Sequence, residues 1–237
     1  MIIGDVDFAD VSPLATDIML ERAWDRVFFT SDSHFGHGNI LNWMKYSRQF
    51  DGAEEMDAAL IEKWNATVGE DDIVFFLGDF TLGNNAQDYF HELNGEIYCC
   101  WLPQHHDKRW QKSKARYFGS SFVPHGFYES GQPLLSKSGR HVGMFAEGTV
   151  MRVRMFNNRT VNLTMMHFPL VEWSGSYYDD NWQLHGHTHG TYSPDQGHGF
   201  AYDVGADTNE LAPVSLNELY NKGREWDLMR KKLQSYV

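Results

Sequence analysis

Short runs of β-type residues, each followed directly by aspartate or histidine, constrain the fold of this chain more than any other sequence feature. Residues 27–31 (VFFTS), 72–77 (DIVFFL) and 95–101 (GEIYCCW) are apolar enough to form buried strands. Helical patterns at residues 53–68 and 86–93 separate these runs. Because strands joined through helices pair in parallel and end at one edge of a sheet, we expect an α/β domain with one site along that edge.

The second half of the chain predicts further strands and a final helix. Short β-type pieces recur at 119–123, 148–155, 160–166 and 199–204. Those before residue 160 alternate with polar turns, which favours antiparallel strands and loops that partly overhang the site. An aromatic loop containing Trp173, Tyr177, Tyr178 and Trp182 comes before the last histidine motif. Ser215 and Glu218 form a capping box, which predicts a C-terminal helix.

The organisation predicted from these elements is a single domain over residues 1–237. We find neither a linker nor an internal repeat between its elements. Residues 14–24 have a loose helical pattern, and we treat residues 1–26 as an N-terminal extension to which we assign no function. Cys99 and Cys100 are neighbours in an apolar run, so we expect buried free thiols.

Composition and charge narrow the environment and the partners that we expect. The longest apolar runs are too short to cross a bilayer and the N-terminus has no signal pattern, so we expect a cytoplasmic protein without a membrane partner. The formal net charge of −12 opposes binding along a nucleic-acid backbone, which leaves nucleic acid as a disfavoured partner. The sequence leaves the oligomeric state open, and a homo-oligomer is compatible with it.

The side chains that follow the predicted strands are typical metal ligands. His187 and His189 alternate between Gly186 and Gly190, so both imidazoles can point to one place. Carboxylates and imidazoles without thiolates suit Mn, Fe, Zn, Co or Ni. Each segment alone also fits a turn with incidental histidines. The candidates are Asp32, His34, Asp79, His105, His106, His167, His187 and His189. Eight candidates exceed what one tetrahedral ion needs, and a pair of ions about 4 Å apart accounts for them.

In this order, the motifs resemble those of the calcineurin-like metallophosphoesterases, and more closely the small bacterial and phage enzymes. The resemblance covers roughly residues 27–220 and is carried by TSDSHFGHGNIL (30–41), DIVFFLGDFTLG (72–83), HDKR (106–109) and the segment 167–190. It implies a four-layer αββα sandwich with two metal ions. By the same resemblance Asp32, His34 and His189 hold the first ion, Asp79 bridges both, and His167 and His187 hold the second.

One motif departs from the family pattern. Where these enzymes have Gly-Asn-His-Asp, this chain has Gln104-His105-His106-Asp107. Our hypothesis is that His105 replaces the amide ligand and biases the second ion toward Zn or Fe; the alternative is that His105 turns away and water fills the position. His106 matches the catalytic histidine, and Asp107 could orient its ring.

The resemblance implies a hydrolase of phosphate esters, among which we favour phosphodiesters of small molecules. A hydroxide shared by the ions would attack phosphorus in line, with His106 as general acid. His37, Asn39 and Arg109 are the candidate substrate-binding residues. The aromatic loop could stack a base or an aryl leaving group, but we favour a packing role for it. The alternatives are phosphomonoesterase or nuclease activity at the same site, or a scaffold that binds metal without turnover.

Overall fold

The computed structural model describes residues 2–3, 17–20, 26–102, 105–114, 122–123, 134–140, 142–155, 157–192 and 199–234. The strands are β1 (Ile2–Ile3), β2 (Asp17–Leu20), β3 (Val27–Thr30), β4 (Ile73–Phe76), β5 (Glu96–Trp101), β6 (Phe122–Val123), β7 (Val142–Ala146), β8 (Thr149–Arg154), β9 (Thr160–Met165), β10 (Asn181–His185), β11 (Ala201–Asp203) and β12 (Val214–Ser215). The helices are α1 (Ile40–Trp43), α2 (Ala53–Thr67), α3 (Ala86–Phe90), α4 (Lys108–Lys114) and α5 (Leu216–Gln234), with a 3-10 turn at Ala206–Thr208.

Two mixed sheets organise these strands. Sheet I has the order β12-β3-β4-β5-β7-β6, and sheet II has the order β1-β2-β8-β9-β10-β11. The pairs β3–β4 and β4–β5 in sheet I and β9–β10 in sheet II are parallel. The strands that lead into the candidate ligands therefore end together at one edge of each sheet.

The two sheets share a core because successive residues of a strand face opposite sides. Phe29, Phe75 and Tyr98 of sheet I cluster with Leu163 and Leu184 of sheet II. Their nearest neighbours in the chain point the other way, where Phe28, Val74 and Phe76 pack against Met56, Leu60 and Trp64 of α2. All of these side chains are buried, which explains why β3 and β4 read as continuous apolar runs.

Three layers follow from these clusters: the helices around α2, sheet I and sheet II. Helix α5 adds Leu216, Leu219 and Tyr220 to the core between the sheets. On β8 of sheet II, Met151 and Val153 are buried, whereas Arg152 and Arg154 alternate with them and are exposed. The α/β class and the two sheets agree with the sequence prediction, and the fourth, helical layer over sheet II stays a prediction.

The capping box and the two free cysteines are where the sequence predicts them. Ser215 N donates to Glu218 Oε2 at 3.1 Å and Glu218 N donates to Ser215 Oγ at 3.2 Å, which starts α5. Cys99 and Cys100 are buried free thiols. In the part of the chain that the structure describes, no helix is long and apolar enough to cross a membrane.

Two of the predicted elements are wrong. Residues 17–20, inside the region with a helical pattern, form β2 and pair with β8; the rest of 14–24 lies outside the described residues. The aromatic loop ends earlier than expected, because residues 181–185 form β10 between β9 and β11 and bury Trp182. Pairing with strands that are distant in the chain, β8 for β2 and β9 and β11 for β10, decides both cases, and a local sequence pattern does not show it.

Candidate metal centre

The first group of candidate ligands combines both sheets. Asp32 and His34 follow β3 of sheet I, and His189 follows β10 of sheet II. Asp32 Oδ1 lies 3.9 Å from His34 Nε2 and 3.9 Å from His189 Nε2. One nitrogen or oxygen from each residue lies within 4.8 Å of the others, so these three side chains could hold an ion.

The second group also draws on both sheets. Asp79 and His105 follow β4 and β5, while His167 and His187 follow β9 and β10. Their ligand atoms also lie within 4.8 Å of one another. His105 Nδ1 is 2.5 Å from Asp79 Oδ1, so the imidazole that replaces the expected asparagine points into this group. All seven residues that the sequence predicts as metal ligands are therefore brought together in two groups.

Asp79 lies between the two groups. Its Oδ2 is 3.6 Å from His34 Nε2 in the first group and 3.5 Å from His167 Nε2 in the second. The same oxygen is 3.9 Å from His106 Nε2, and His34, Asp79 and His106 form a third set with metal-ligand spacing. This is the position that a carboxylate shared by two ions would occupy.

Several buried polar atoms of the groups have no hydrogen-bond partner among the residues that the structure describes. They are Asp32 Oδ1, His34 Nε2 and His167 Nε2. Buried polar atoms are nearly always paired, and each of these atoms lies among the other candidate ligands. The other nitrogen of the His167 ring, Nδ1, lies 3.1 Å from Leu77 O, an arrangement that leaves Nε2 for a ligand. The donor set of carboxylates and imidazoles therefore fits a divalent cation.

The backbone at the ligands is strained. Asp32, His34, Asp79, His187 and His189 have φ of +57°, +52°, +60°, +68° and +48°. They are five of the nine non-glycine residues with positive φ in the described part of the chain. Such conformations cost roughly 1–3 kcal/mol each and persist where the surroundings impose them, typically at functional sites. Five of the residues with metal-ligand spacing are thus also residues with a strained backbone.

Hydrogen bonds between adjacent loops impose this backbone. Asp32 N donates to Gly78 O at 2.9 Å, and His34 N donates to Asp79 O at 3.0 Å. The loop after β3 is thus joined to the loop after β4 beyond the end of the sheet. His187 N donates to Asp32 Oδ2 at 2.9 Å and connects sheet II to the same carboxylate.

Gly186 allows this contact between the sheets. A Cβ at this position would lie 1.9 Å from Ser31 Oγ and 2.3 Å from Asp32 Oδ2. Such distances are far below van der Waals contact, so a larger residue would displace the carboxylate. The glycine that looks like a turn residue in the sequence is a packing requirement of the site.

Arg48 is buried behind the first group. Its Nε and Nη2 donate to the two oxygens of Asp207 at 2.9 and 2.8 Å, and Nη1 and Nη2 donate to the carbonyls of Ser33 and Asp32 at 2.7 and 2.5 Å. Asp207 Oδ2 lies 2.6 Å from His189 Nδ1, which leaves His189 Nε2 facing Asp32. Sequence reasoning assigned no role at the site to Arg48 or Asp207, because neither residue lies in one of the ligand motifs.

The charges of the groups shift their pKa values in opposite directions. Burial would raise the pKa of Asp79, but its close contacts with the His105 and His167 rings overcome it and hold this pKa far below its usual range. Burial opposes protonation of His167, yet the nearby carboxylates of Asp79 and Asp32 raise its pKa to about 9. Burial lowers the pKa of His34 and raises that of Asp32. The side chains of Asp32 and His34 are both buried, which disfavours the charged form of each.

His106 lies next to both groups, but Asp107 does not orient it. The ring of His106 is 5.2 Å from that of His34 and 4.8 Å from that of His105. Asp107 Oδ1 instead accepts hydrogen bonds from Phe80 N, Thr81 N and Trp110 Nε1 at 2.9, 3.1 and 2.7 Å, and its Oδ2 has no partner. The prediction that Asp107 orients His106 is wrong, because Asp107 points inward and supports the loop after Asp79.

The candidate substrate-binding residues divide into one near the groups and two on the surface. His37 is buried, with Nδ1 3.4 Å from His34 Nδ1 and its ring 5.9 Å from that of His106. Asn39 is exposed before α1, and Arg109 is exposed on α4; neither belongs to the ligand groups. Gln104, which stands where the family motif has glycine, lies outside the described residues.

The aromatic loop is not beside the ligands. Trp173 and Trp182 are buried, while Tyr177 and Tyr178 are exposed before the amino end of β10, and the ligands follow its carboxyl end. Packing therefore explains the two tryptophans. The aromatic residues beside the groups are Trp43, whose ring is 5.6 Å from His37, and Phe168, whose ring is 4.6 Å from His187. The sequence reasoning assigned neither of them a role at the site.

Comparison with known proteins identifies relatives without an assigned activity. No protein-family model matches the sequence. An uncharacterized protein of Methanocaldococcus jannaschii is 38% identical over 103 residues, which are 41% of this chain and 56% of that protein. The chain thus spans little more than half the length of that relative.

Two phage proteins and one solved structure match over longer stretches. The gene 66 proteins of Mycobacterium phages L5 and D29 are each 26% identical, over 68% and 69% of this chain and 76% and 78% of their own lengths. A protein of unknown function from Aquifex aeolicus has a TM-score of 0.52 at 17% identity, covering 82% of this chain and 97% of its own. The chain is therefore similar in fold to the Aquifex protein and in sequence to the phage gene 66 proteins.

Proposed function

We propose that this protein is a metal-dependent phosphoesterase of the calcineurin-like type, with two ions and with small phosphodiesters as substrates. The observation that supports this most is the position of Asp79 Oδ2, 3.6 Å from His34 and 3.5 Å from His167, between two groups that each have metal-ligand spacing. Asp32, His34 and His189 would hold one ion; Asp79, His105, His167 and His187 would hold the other. A bound pair of divalent ions supplies a nucleophile from water near neutral pH and neutralises phosphoryl oxygens.

The residues around the ions have separate tasks in this proposal. Asp207 fixes the ring of His189 through Nδ1, and Leu77 O does the same for His167. His106 is partly exposed and lies 3.9 Å from Asp79, so it can reach a substrate that lies over the groups. Its role would be to give a proton to the departing alcohol.

The protonation of His106 depends on the substrate. Burial lowers its pKa, and the nearby His105, His167 and Lys108 add to this while Asp79 opposes it. The ring is therefore neutral at pH 7 in the absence of substrate. The negative charge of a bound phosphate favours the protonated ring, so proton donation is tied to binding.

A monoanionic diester suits the charges better than a dianionic monoester. The buried guanidinium of Arg48 is already paired with Asp207 and with two carbonyls, so its charge is neutralised. Glu147, whose pKa is raised by burial, lies close enough to His167 to interact with its charge and its backbone N–H. Glu147 and the formal net charge of −12 both disfavour a second negative charge on the substrate.

The test is hydrolysis of bis-p-nitrophenyl phosphate and p-nitrophenyl phosphate with Mn, Ni, Zn or Fe, together with elemental analysis of the purified protein. We expect turnover of the diester that chelation abolishes and metal restores. We expect Asp79→Asn to lower kcat more than about 100-fold, since it removes the shared ligand. Asp88→Asn, the same change at an exposed position on α3, is the control and should keep full activity. Undiminished activity of the chelated protein or of Asp79→Asn would refute the proposal.

A further inference from the structure

Two aromatic side chains border the ligand groups, one beside each. The ring of Trp43, the last residue of α1, lies 5.6 Å from the ring of His37, which is 5.4 Å from that of His34 in the first group. Phe168 lies beside the second group, with its ring 4.6 Å from His187 and 4.9 Å from His167. Rings thus flank both groups of metal-ligand residues.

Trp43 is poorly covered by the protein. Its side chain is 64% exposed, although tryptophan is among the residues that gain most from burial. Helix α1 is anchored instead by Ile40, which is 1% exposed. Phe168 is also partly exposed. A single exposed aromatic residue needs no explanation in general. Here two rings remain accessible directly beside the groups where a phosphate would bind.

The charge of the chain as a whole does not favour a substrate with many phosphates. The net charge is −12, and the buried Arg48 is already ion-paired with Asp207. Long nucleic acids are bound mainly through contacts between cations and their phosphates, which such a surface opposes. Stacking of a base on an aromatic ring requires no such charge and contributes binding energy for each base. A substrate with planar rings and a single phosphate therefore suits this surface.

We propose that Trp43 and Phe168 receive planar rings on the two ester arms of the substrate, which is then a small phosphodiester of the dinucleoside type. The inference rests on the proposed function and specifies its substrate class. A phosphate between the two groups has one ester arm on the side of His34 and the other on the side of His187. Trp43 contacts His37, whose ring is 5.4 Å from that of His34 in the first group, whereas the ring of Phe168 is 4.6 Å from that of His187 in the second.

The experiment compares three diesters on the metal-loaded, full-length protein. They are thymidylyl-thymidine with two bases, methyl thymidine phosphate with one, and glycerophosphoethanolamine with none. We expect KM to fall with each added ring. Trp43→Ala should raise KM for thymidylyl-thymidine about 5- to 100-fold at nearly constant kcat, and Phe168→Ala should do likewise. Trp43→Phe should restore most of the loss, because it keeps an aromatic face.

The controls separate stacking from structural damage. Tyr178→Ala removes a side chain that is 72% exposed before the amino end of β10, and it should change no KM. Neither Trp43→Ala nor Phe168→Ala should alter KM for glycerophosphoethanolamine. Equal KM values for the three diesters in the wild type, or an equal effect of Trp43→Ala on all three, would overturn the inference while leaving the phosphodiesterase proposal intact.

Binding can be measured without turnover. Equilibrium dialysis of thymidylyl-thymidine against metal-loaded proteins that also carry His106→Ala, which removes the proposed proton donor, gives its dissociation constant. This constant should rise about 5- to 100-fold when Trp43→Ala is added. A dissociation constant that is independent of both rings would refute stacking even if no diester were hydrolysed. Absence of hydrolysis with ring-dependent binding would refute the phosphodiesterase proposal alone.

Discussion

Replacing Arg48 by methionine should destabilise the protein by an amount that the structure allows us to bound. The guanidinium is 1% exposed and makes a two-pronged pair with Asp207, whose side chain is 2% exposed, and it donates to the carbonyls of Ser33 and Asp32. Removing one partner of a buried ion pair typically costs about 3–5 kcal/mol, because the other charge stays buried. Methionine fills a similar volume, so loss of packing adds little.

The decrease in the free energy of unfolding within this range depends on how well Asp207 and the carbonyls of Ser33 and Asp32 remain hydrogen-bonded. An unsatisfied buried carbonyl costs about 1–3 kcal/mol, but the two are not additive with the ion pair. Asp207 keeps hydrogen bonds from Ser47 and His189, which limits the damage. For a chain of this length, 3–5 kcal/mol corresponds to a fall in Tm of about 6–20 °C.

The assay is urea unfolding of the wild type, Arg48→Met, Arg48→Lys and Asp207→Asn, with thermal unfolding as a second measure. Lysine cannot reach both carboxylate oxygens and both carbonyls, so Arg48→Lys should also lower the free energy of unfolding. Because lysine keeps the positive charge beside Asp207, this decrease should be smaller than that of Arg48→Met. A free energy of unfolding for Arg48→Met within about 1 kcal/mol of the wild type would refute the reasoning, since that is the size of an exposed ion pair.

Two further predictions concern the ligands themselves. Gly186→Ala should lower metal affinity about 10- to 100-fold, measured by competition with a chelating dye, because its Cβ would lie 2.3 Å from Asp32 Oδ2. Gly52→Ala is the matched control, because a Cβ there meets nothing within 4 Å and the backbone is extended, and equal affinities of the two variants would contradict the packing argument. His105→Asn should shift the order of activating metals from Zn or Fe toward Mn, because an amide oxygen is a harder ligand than imidazole; an unchanged order in the metal panel would indicate that His105 does not hold the ion.

Sequence reasoning predicted which candidate ligands come together because each motif follows the end of a strand. A buried run such as Phe28–Phe29 can end only at the edge of a sheet, so Asp32 and Asp79 were expected side by side, and they lie in linked loops. The same logic applied to β5 and β9 predicted the positions of His105 and His167. Local pattern and tertiary structure agree wherever a strand is apolar on both faces.

Sequence reasoning failed for residues whose role depends on contacts with distant parts of the chain. Arg48 follows a short turn without periodicity, and its carboxylate partner is 159 positions away. Trp43 and Phe168 look like ordinary core residues until the loops are in place. Asp107 sits beside His106 in sequence, yet it points the other way at the start of α4. Such relationships depend on side-chain direction, which a motif does not contain.

Each ligand group draws on both sheets, and this has a consequence for partly damaged molecules. An ion held by Asp32 and His189, or by Asp79 and His187, would join the two sheets at the edge where β3, β4 and β10 end. If the proposed pair of ions binds, separation of the two sheets would remove ligands from both ions together. A partly unfolded molecule would then lose its metal and, with it, the hydrolase activity that we propose.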